Sequence, residues 1–348
     1  MKVAAFNAKR LGIQKVKNKK VYEYLIKIIS QYSIVFILEV MDKTGEAMEL
    51  LLEKLDSAVG DKYKMICSSP LGRNVYMEKF VCFYRKDEVK LTDQHQYEDN
   101  QPGDEDAFAR EPLILRFSCP TTVIKDLVLI PVHTQPTDAE KELDELCDVV
   151  KIMRKKWETP NIMILGDFNA AGSYLSNKKK KKIRISSPPF YWIIGDNVDT
   201  TTSHSNEYTY DRIVVYTKKT QKTIVPNSAK SFNFQREFDL NDEEALRISD
   251  HYPVEVELKT DKSAVRQTTS TSKSDSEKSD SEWYDSETSY SPDSEWSHHA
   301  AGFQRNIGQH FVPSYWRRGQ QPALNPIRYR PPASQAYIGG LDQLFFIK

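Results

Sequence analysis

Ile162-Met163-Ile164-Leu165-Gly166-Asp167-Phe168-Asn169 is an apolar run that stops at a glycine and delivers a carboxylate and an amide. Read as a strand, it carries polar groups at the end of an element that a sheet holds rigid, the usual place for groups that bind or react. The pattern recurs along the chain. Val3 to Phe6 leads to Asn7, Ile34 to Leu38 leads to Glu39, and Leu127 to Val132 leads to His133. Ser249-Asp250-His251-Tyr252 closes into Pro253-Val254-Glu255-Val256.

Working outward, further strands are expected at Phe80 to Tyr84, Leu113 to Phe117, Arg212 to Tyr216 and Val254 to Leu258. Amphipathic helices are expected at Lys19 to Gln31, Thr44 to Leu55 and Asp138 to Trp157, the last opening on Thr137-Asp138-Ala139-Glu140, which reads as an N-capping run. This alternation is that of an α/β or α+β domain over residues 1–260. So many strands predict two sheets packed face to face with helices outside.

Composition bounds the partners. The 49 basic and 49 acidic residues cancel, so any nucleic-acid contact must come from a local basic patch. Cys67, Cys82, Cys119 and Cys147 match neither zinc spacing nor a disulfide framework and are expected as free thiols. No stretch reaches the roughly 18 consecutive apolar residues of a membrane span. No apolar leader precedes Val3, so an intracellular protein, cytoplasmic or nuclear, is expected.

Beyond Leu258 the composition shifts. Residues 261–295 are rich in Ser and acids, with eight acids against Lys278 between Asp275 and Glu295, and are expected to be a disordered linker. Residues 296–348 turn aromatic, proline-rich and basic, as in Tyr315-Trp316-Arg317-Arg318, and are expected to be a disordered tail. Arg interleaved with aromatics can also stack on bases or dock a partner.

Hydrolysing a phosphodiester needs an activated water, neutralised charge on phosphorus and a protonated leaving oxygen. Glu39 and Asp167 at strand ends suit Mg²⁺, with Asn7 helping through its carbonyl oxygen. His133 and His251 can move protons, and a neighbouring carboxylate would fix the tautomer of each. Asp250 adjoins His251 in sequence and so serves better as a metal or water ligand than as its partner. Arg110 reads equally as an exposed turn residue or a phosphate clamp. Each residue alone is more often structural; their common placement at strand ends argues for a site.

In order, these residues resemble the deoxyribonuclease I family of the endonuclease/exonuclease/phosphatase superfamily. The likeness covers residues 2–258 and rests on Ala4-Ala5-Phe6-Asn7, Leu38-Glu39-Val40, Tyr76-Met77-Glu78-Lys79, Arg110-Glu111-Pro112, His133-Thr134-Gln135-Pro136, Gly166-Asp167-Phe168-Asn169-Ala170, Tyr210-Asp211-Arg212-Ile213-Val214 and Ser249-Asp250-His251-Tyr252-Pro253-Val254. It implies a four-layered α/β sandwich and a DNA endonuclease of low sequence specificity that uses Mg²⁺ or Mn²⁺ and leaves 5′-phosphate and 3′-hydroxyl ends. It pairs His133 with Glu78 and His251 with Asp211 as general acid and base. Glu39 would bind the metal, with Asn7, Asp167, Asn169 and Asp250 completing the shell. Arg110 would hold a phosphate, and Asn74 and Tyr76 would lie along the minor groove. Asp99, Asp106, Asp199 and Thr201 resemble structural Ca²⁺ loops.

The departures are informative. Secreted members of that family usually carry a disulfide between the segments that read here Ala171-Gly172-Ser173-Tyr174 and Glu207-Tyr208-Thr209-Tyr210, and neither has a cysteine. Met41 stands where relatives often place an arginine. Lys178 to Lys182 read as a solvated face or a phosphate contact. A monomer is expected, and actin binding cannot be inferred from any motif. The rival readings are a phosphatase or phosphodiesterase acting on a lipid or inositol phosphate, and a catalytically silent binding module.

Overall fold

Each apolar run read as a strand is one. A computed structural model describes residues 1–73, 75–100, 106–202 and 207–263. Asn74 and both tail segments from residue 264 onward lie outside the described residues. The strands are β1 (Lys2–Leu11), β2 (Ile34–Val40), β3 (Tyr63–Cys67), β4 (Lys79–Arg85), β5 (Lys90–Gln96), β6 (Leu113–Ser118), β7 (Asp126–His133), β8 (Ile162–Asp167), β9 (Phe190–Trp192), β10 (Asp211–Tyr216), β11 (Lys230–Ser231) and β12 (Val254–Glu257). The principal helices are α1 (Ile13–Lys17), α2 (Lys19–Ile29), α3 (Glu46–Val59) and α4 (Ala139–Trp157).

The strands form two six-stranded sheets, ordered β11-β12-β1-β2-β4-β3 and β5-β6-β7-β8-β10-β9. In each, one central pair is parallel, β1 with β2 and β7 with β8, and the flanking pairs are antiparallel. Both faces of the central strands are covered, which is why the runs read as almost continuously apolar. Val3, Phe36 and Leu38 point inward against Leu115, Leu129 and Leu165 of the other sheet. Their alternates Ala4, Val35 and Ile37 turn out towards Leu25, Ile28 and Leu51 of α2 and α3. Ile130, Ile162 and Ile164 likewise face Leu143, Leu146 and Val150 of α4. Helix, sheet, sheet and helix make four layers.

Two local features set the frame of the site. Gly166 lies on the rung opposite Val132 with φ +142°, where a Cβ would stand 2.0 Å from the Val132 carbonyl oxygen, so only glycine lets β7 and β8 close up there. The expected capping run before α4 works differently. Asp138 occupies the N-cap but makes no capping hydrogen bond, and its carboxylate instead accepts from Arg73 Nη1 at 3.2 Å. The 3₁₀ turn Pro136–Asp138 feeds the helix, and Glu142 from the first turn accepts the Gln135 backbone N–H at 2.9 Å.

All four cysteines are free, with Cys82, Cys119 and Cys147 buried and Cys67 exposed. Among the described residues no helix is long and apolar enough to cross a membrane.

Candidate active site

The ends of β1, β2, β7 and β8 and the start of β10 meet at one edge of the sandwich. Register aligns three of the polar groups: His133 is opposite Asp167, and Asp167 is opposite Asp211. The backbone is irregular around the others. Register shifts follow Asn7 in β1 and Ile37 in β2, and Lys9, Arg10, Glu39 and Asn169 hold positive φ of 40°, 49°, 53° and 47°. Such bulges re-aim side chains at sheet ends, and non-glycine residues with left-handed backbone concentrate at functional sites.

Asp167 Oδ2 stands at the centre. Asn7 Nδ2 donates to it at 3.2 Å and to Glu39 Oε1 at 3.0 Å. His133 Nε2 faces the same oxygen at 3.7 Å and His251 Nε2 at 3.8 Å. Behind each ring sits a buried carboxylate: His133 Nδ1 is 2.5 Å from Glu78 Oε1, and His251 Nδ1 is 2.8 Å from Asp211 Oδ2. Each ring is thereby fixed with Nδ1 towards its carboxylate and Nε2 towards the centre.

Burial pulls both imidazoles down, but the carboxylates prevail. Glu78 and Asp167 leave His133 above the ordinary histidine value despite the opposing charge of Arg110. Asp211 and Asp167 lift His251 to about 10. Burial lifts the Asp211 carboxyl to about 6, with His251 opposing it.

The donor set fits a hard divalent cation. Glu39 and Asp167 crowd two carboxylates around one amide nitrogen, and Asp211 Oδ1 is buried without a partner. Asp167, Asp211 and His251 bring ligand-type atoms within 4.8 Å of one another. Oxygen ligands at this density suit Mg²⁺, Mn²⁺ or Ca²⁺. Asn7 is oriented as a donor: its side-chain oxygen accepts the Lys9 N–H at 2.9 Å, so its amide nitrogen, not the carbonyl oxygen, faces the centre.

The remaining residues take differing places. Asn169 is buried, donating its amide to the Thr134 carbonyl at 3.0 Å while its N–H reaches Asp167 Oδ1 at 3.0 Å. Asp250 lies at the rim, 2.7 Å from Lys9 Nζ and 4.0 Å from His251 Nε2. Arg110 is neither free nor exposed: its Nε is 2.6 Å from Glu78 Oε1, tying it to the His133 pair. Tyr76 accepts at its hydroxyl from Arg10 Nε at 3.0 Å. Asn74 lies outside the described residues. Of the residues resembling calcium loops, Asp99 keeps a buried, unpartnered Oδ1, whereas Asp106 pairs with Arg73 at 3.1 Å and Asp199 Oδ1 accepts the Thr201 hydroxyl at 2.9 Å. Lys179 pairs with Glu140, and Lys180 pairs with Asp196 while lying over the Trp192 ring, so the lysine run is partly committed to the fold.

Reading the sequence left out Lys9, Arg10, Arg73 and Gln135. Arg73, Tyr76, Arg110 and Gln135 line a cavity of about 410 Å³ beside the His133 pair. Lys9 and Arg10 had a signal, since they lie two and three residues past Asn7, as Gln135 lies two past His133; Arg73 is brought in by a loop alone. Where the family resemblance would place a disulfide, Tyr208 packs against Gly172, and the Tyr210 ring lies against those of Tyr208 and Tyr174, tilted by 37° and 38°, with centroids 5.1 and 5.6 Å away.

The profile of the endonuclease/exonuclease/phosphatase family matches residues 4–251. The chain is 42% identical to deoxyribonuclease-1 of Oryctolagus cuniculus over 260 residues, covering 74% of this chain and 92% of that protein. It is 38% identical to deoxyribonuclease gamma of Homo sapiens over 266 residues, 76% of this chain and 87% of that one. The human Nocturnin catalytic domain shares the fold, with a TM-score of 0.52 at 14% identity over 75% of this chain and 94% of that one. The sandwich, the two histidine–carboxylate pairs and these relatives together place the chain in the deoxyribonuclease I family of the endonuclease/exonuclease/phosphatase superfamily.

Proposed function

We propose that the chain is a divalent-metal-dependent endonuclease that hydrolyses DNA with low sequence specificity, leaving 5′-phosphate and 3′-hydroxyl ends. The observation that carries this reading is the convergence of two histidine–carboxylate pairs on Asp167 Oδ2, at 3.7 and 3.8 Å. A phosphate seated there lies between the two Nε2 atoms, so one ring can take a proton from the attacking water while the other gives one to the leaving O3′. The water oxygen bonds to phosphorus as the P–O3′ bond breaks, and the two proton transfers balance.

Glu39 and Asp167 would hold the Mg²⁺ or Mn²⁺, which supplies charge neutralisation to the phosphate. Arg110, anchored on Glu78, presents its guanidinium to the cavity that Arg73 and Tyr76 line, a place for a second phosphate of the same strand. Contacts of this kind follow backbone and groove shape rather than base identity. Glu78 and Asp211 would orient their rings, Asn169 and Asp250 would complete the shell, and Asn7, whose amide nitrogen faces the centre, would donate to phosphate rather than ligate the metal.

Plasmid nicking by the full chain with Mg²⁺ tests the reading. His133→Ala and His251→Ala should each lower the nicking rate by at least about 10²-fold, and chelation should abolish it. A folded wild type that leaves plasmid intact but releases phosphate from an inositol or lipid substrate would transfer the site to the phosphatase branch. Turnover of neither would leave a binding module.

A further inference from the structure

Lys15, on α1, directs its ammonium beneath the site rather than into it. Nζ donates to three backbone carbonyls: Ala8 at 2.9 Å, Lys9 at 2.5 Å and Ile248 at 2.8 Å. An ammonium has three N–H bonds, so the group is fully used, with no donor left for phosphate. The carbonyls come from segments far apart in sequence. Ala8 and Lys9 follow Asn7 in the irregular part of β1, and Ile248 ends the helix Asp242–Ile248 just before Ser249-Asp250-His251.

Three carbonyl oxygens aimed at one point repel one another unless a cation gathers them, and the end of a helix adds its own negative potential. A second tie runs alongside: Ser249 Oγ donates to the Asn7 carbonyl at 2.6 Å and accepts the His251 N–H at 3.1 Å. That hydroxyl orients the turn, and at the rim Lys9 Nζ pairs with Asp250 Oδ2 at 2.7 Å, but both of those side chains are about two-fifths exposed, so the Lys15 ammonium is the buried charge that ties the two segments.

We propose that Lys15 is a positioning residue whose ammonium fixes the separation between Asn7 and the Asp250-His251 turn, and through it the reach of His251 towards Asp167. Its effect on rate rests on the nuclease reading above; its effect on the His251 ring does not. The role calls for a tripod of donors at one atom, which the planar guanidinium of arginine reproduces only in part.

The test uses the full chain as wild type, Lys15→Met and Lys15→Arg. Two quantities are read: steady-state nicking, and the ¹³C ring resonance of His251, assigned by its loss in His251→Ala. In Lys15→Met, kcat should fall on the order of 10²-fold with KM for duplex DNA unchanged, because misplacing a reacting group by about 1 Å has that effect. The His251 resonance should move. Lys15→Arg should fall between the two in both readings. A folded variant with kcat within about twofold of wild type, or with an unmoved resonance, overturns the proposal. So does failure of both variants to fold, which would make Lys15 a residue of the fold alone. A wild type without nuclease activity, combined with a shifted resonance, would reject the nuclease reading and keep the positioning role.

Discussion

Asp167 shows what one residue asks of its neighbours. Its Oδ2 faces two imidazoles and an amide, and against the lowering effect of burial its charge adds to that of Glu78 on His133 and of Asp211 on His251, leaving both histidines above their ordinary range. Glu142 meets the opposite condition, since it is buried away from that centre under the Arg110 and Gln135 loops. Burial lifts its carboxyl to about 7 from an ordinary 4.5, against the lowering effect of backbone N–H groups from Gln135 and Ala109. The folded protein thus holds this proton more tightly than the unfolded chain. The stability it contributes is complete below about pH 4.5 and is lost as pH rises towards 7; the loss is on the order of 3 kcal/mol. Denaturant unfolding of Glu142→Gln beside wild type should show the pH dependence flattened over that window. Equal slopes would mean Glu142 titrates normally. Asn7, Glu39, His133 and Asp167 were legible in the sequence because each ends an apolar run. The pairing of His133 with Glu78 was not, because the two lie 55 residues apart and no local pattern joins them; only the family likeness supplied it. Glu142 left no signal, since a glutamate on an amphipathic helix reads as solvated, and Lys15 left none, since it falls in a segment to which the sequence reading gave no element.

Among the elements, the strands missed in sequence are β3, β5, β9 and β11, and these are the four sheet edges. An edge strand has a neighbour on one side only, so it needs fewer apolar residues and its alternation fades. Lys90–Gln96 has no fully buried position, while Ile162–Asp167 has no exposed one. Central strands were therefore easy to read and edges were not. Helix limits shifted for a similar reason: Thr44 to Leu55 became Glu46–Val59, capped at Gly60 in a left-handed conformation that apolar spacing does not reveal. The loop between β8 and β10 is closed by rings rather than sulfur. Tyr208→Ala removes the ring that packs against both Gly172 and Tyr210, and should cost about 1–2 kcal/mol while exposing that loop to limited proteolysis. An unchanged cleavage pattern would mean the stack does not hold the loop.

At the scale of the whole molecule, we propose that residues 1–260 with a short extension form an independent catalytic domain. Asp261 donates its N–H to the Thr121 carbonyl at 2.8 Å and pairs with Lys125 at 2.7 Å, so the domain reaches a little past the expected boundary. Deleting residues 264–348 should leave the thermal midpoint within about 2 °C of the full chain, a shift of about 1 kcal/mol or less for a domain of this size. A larger drop would show that the remainder belongs to the fold.

The two sheets also share a plan. If β11 and β12 are counted ahead of β1, each sheet runs through an antiparallel pair, a parallel pair, an edge strand and then the inner strand beside it. Asn7 and Glu39 end the parallel pair of one sheet, as His133 and Asp167 end that of the other. The polar ends of the two parallel pairs meet on the seam between the sheets, where the Asn7 amide of one reaches Asp167 of the other at 3.2 Å. Neither sheet by itself would hold more than half of the cluster.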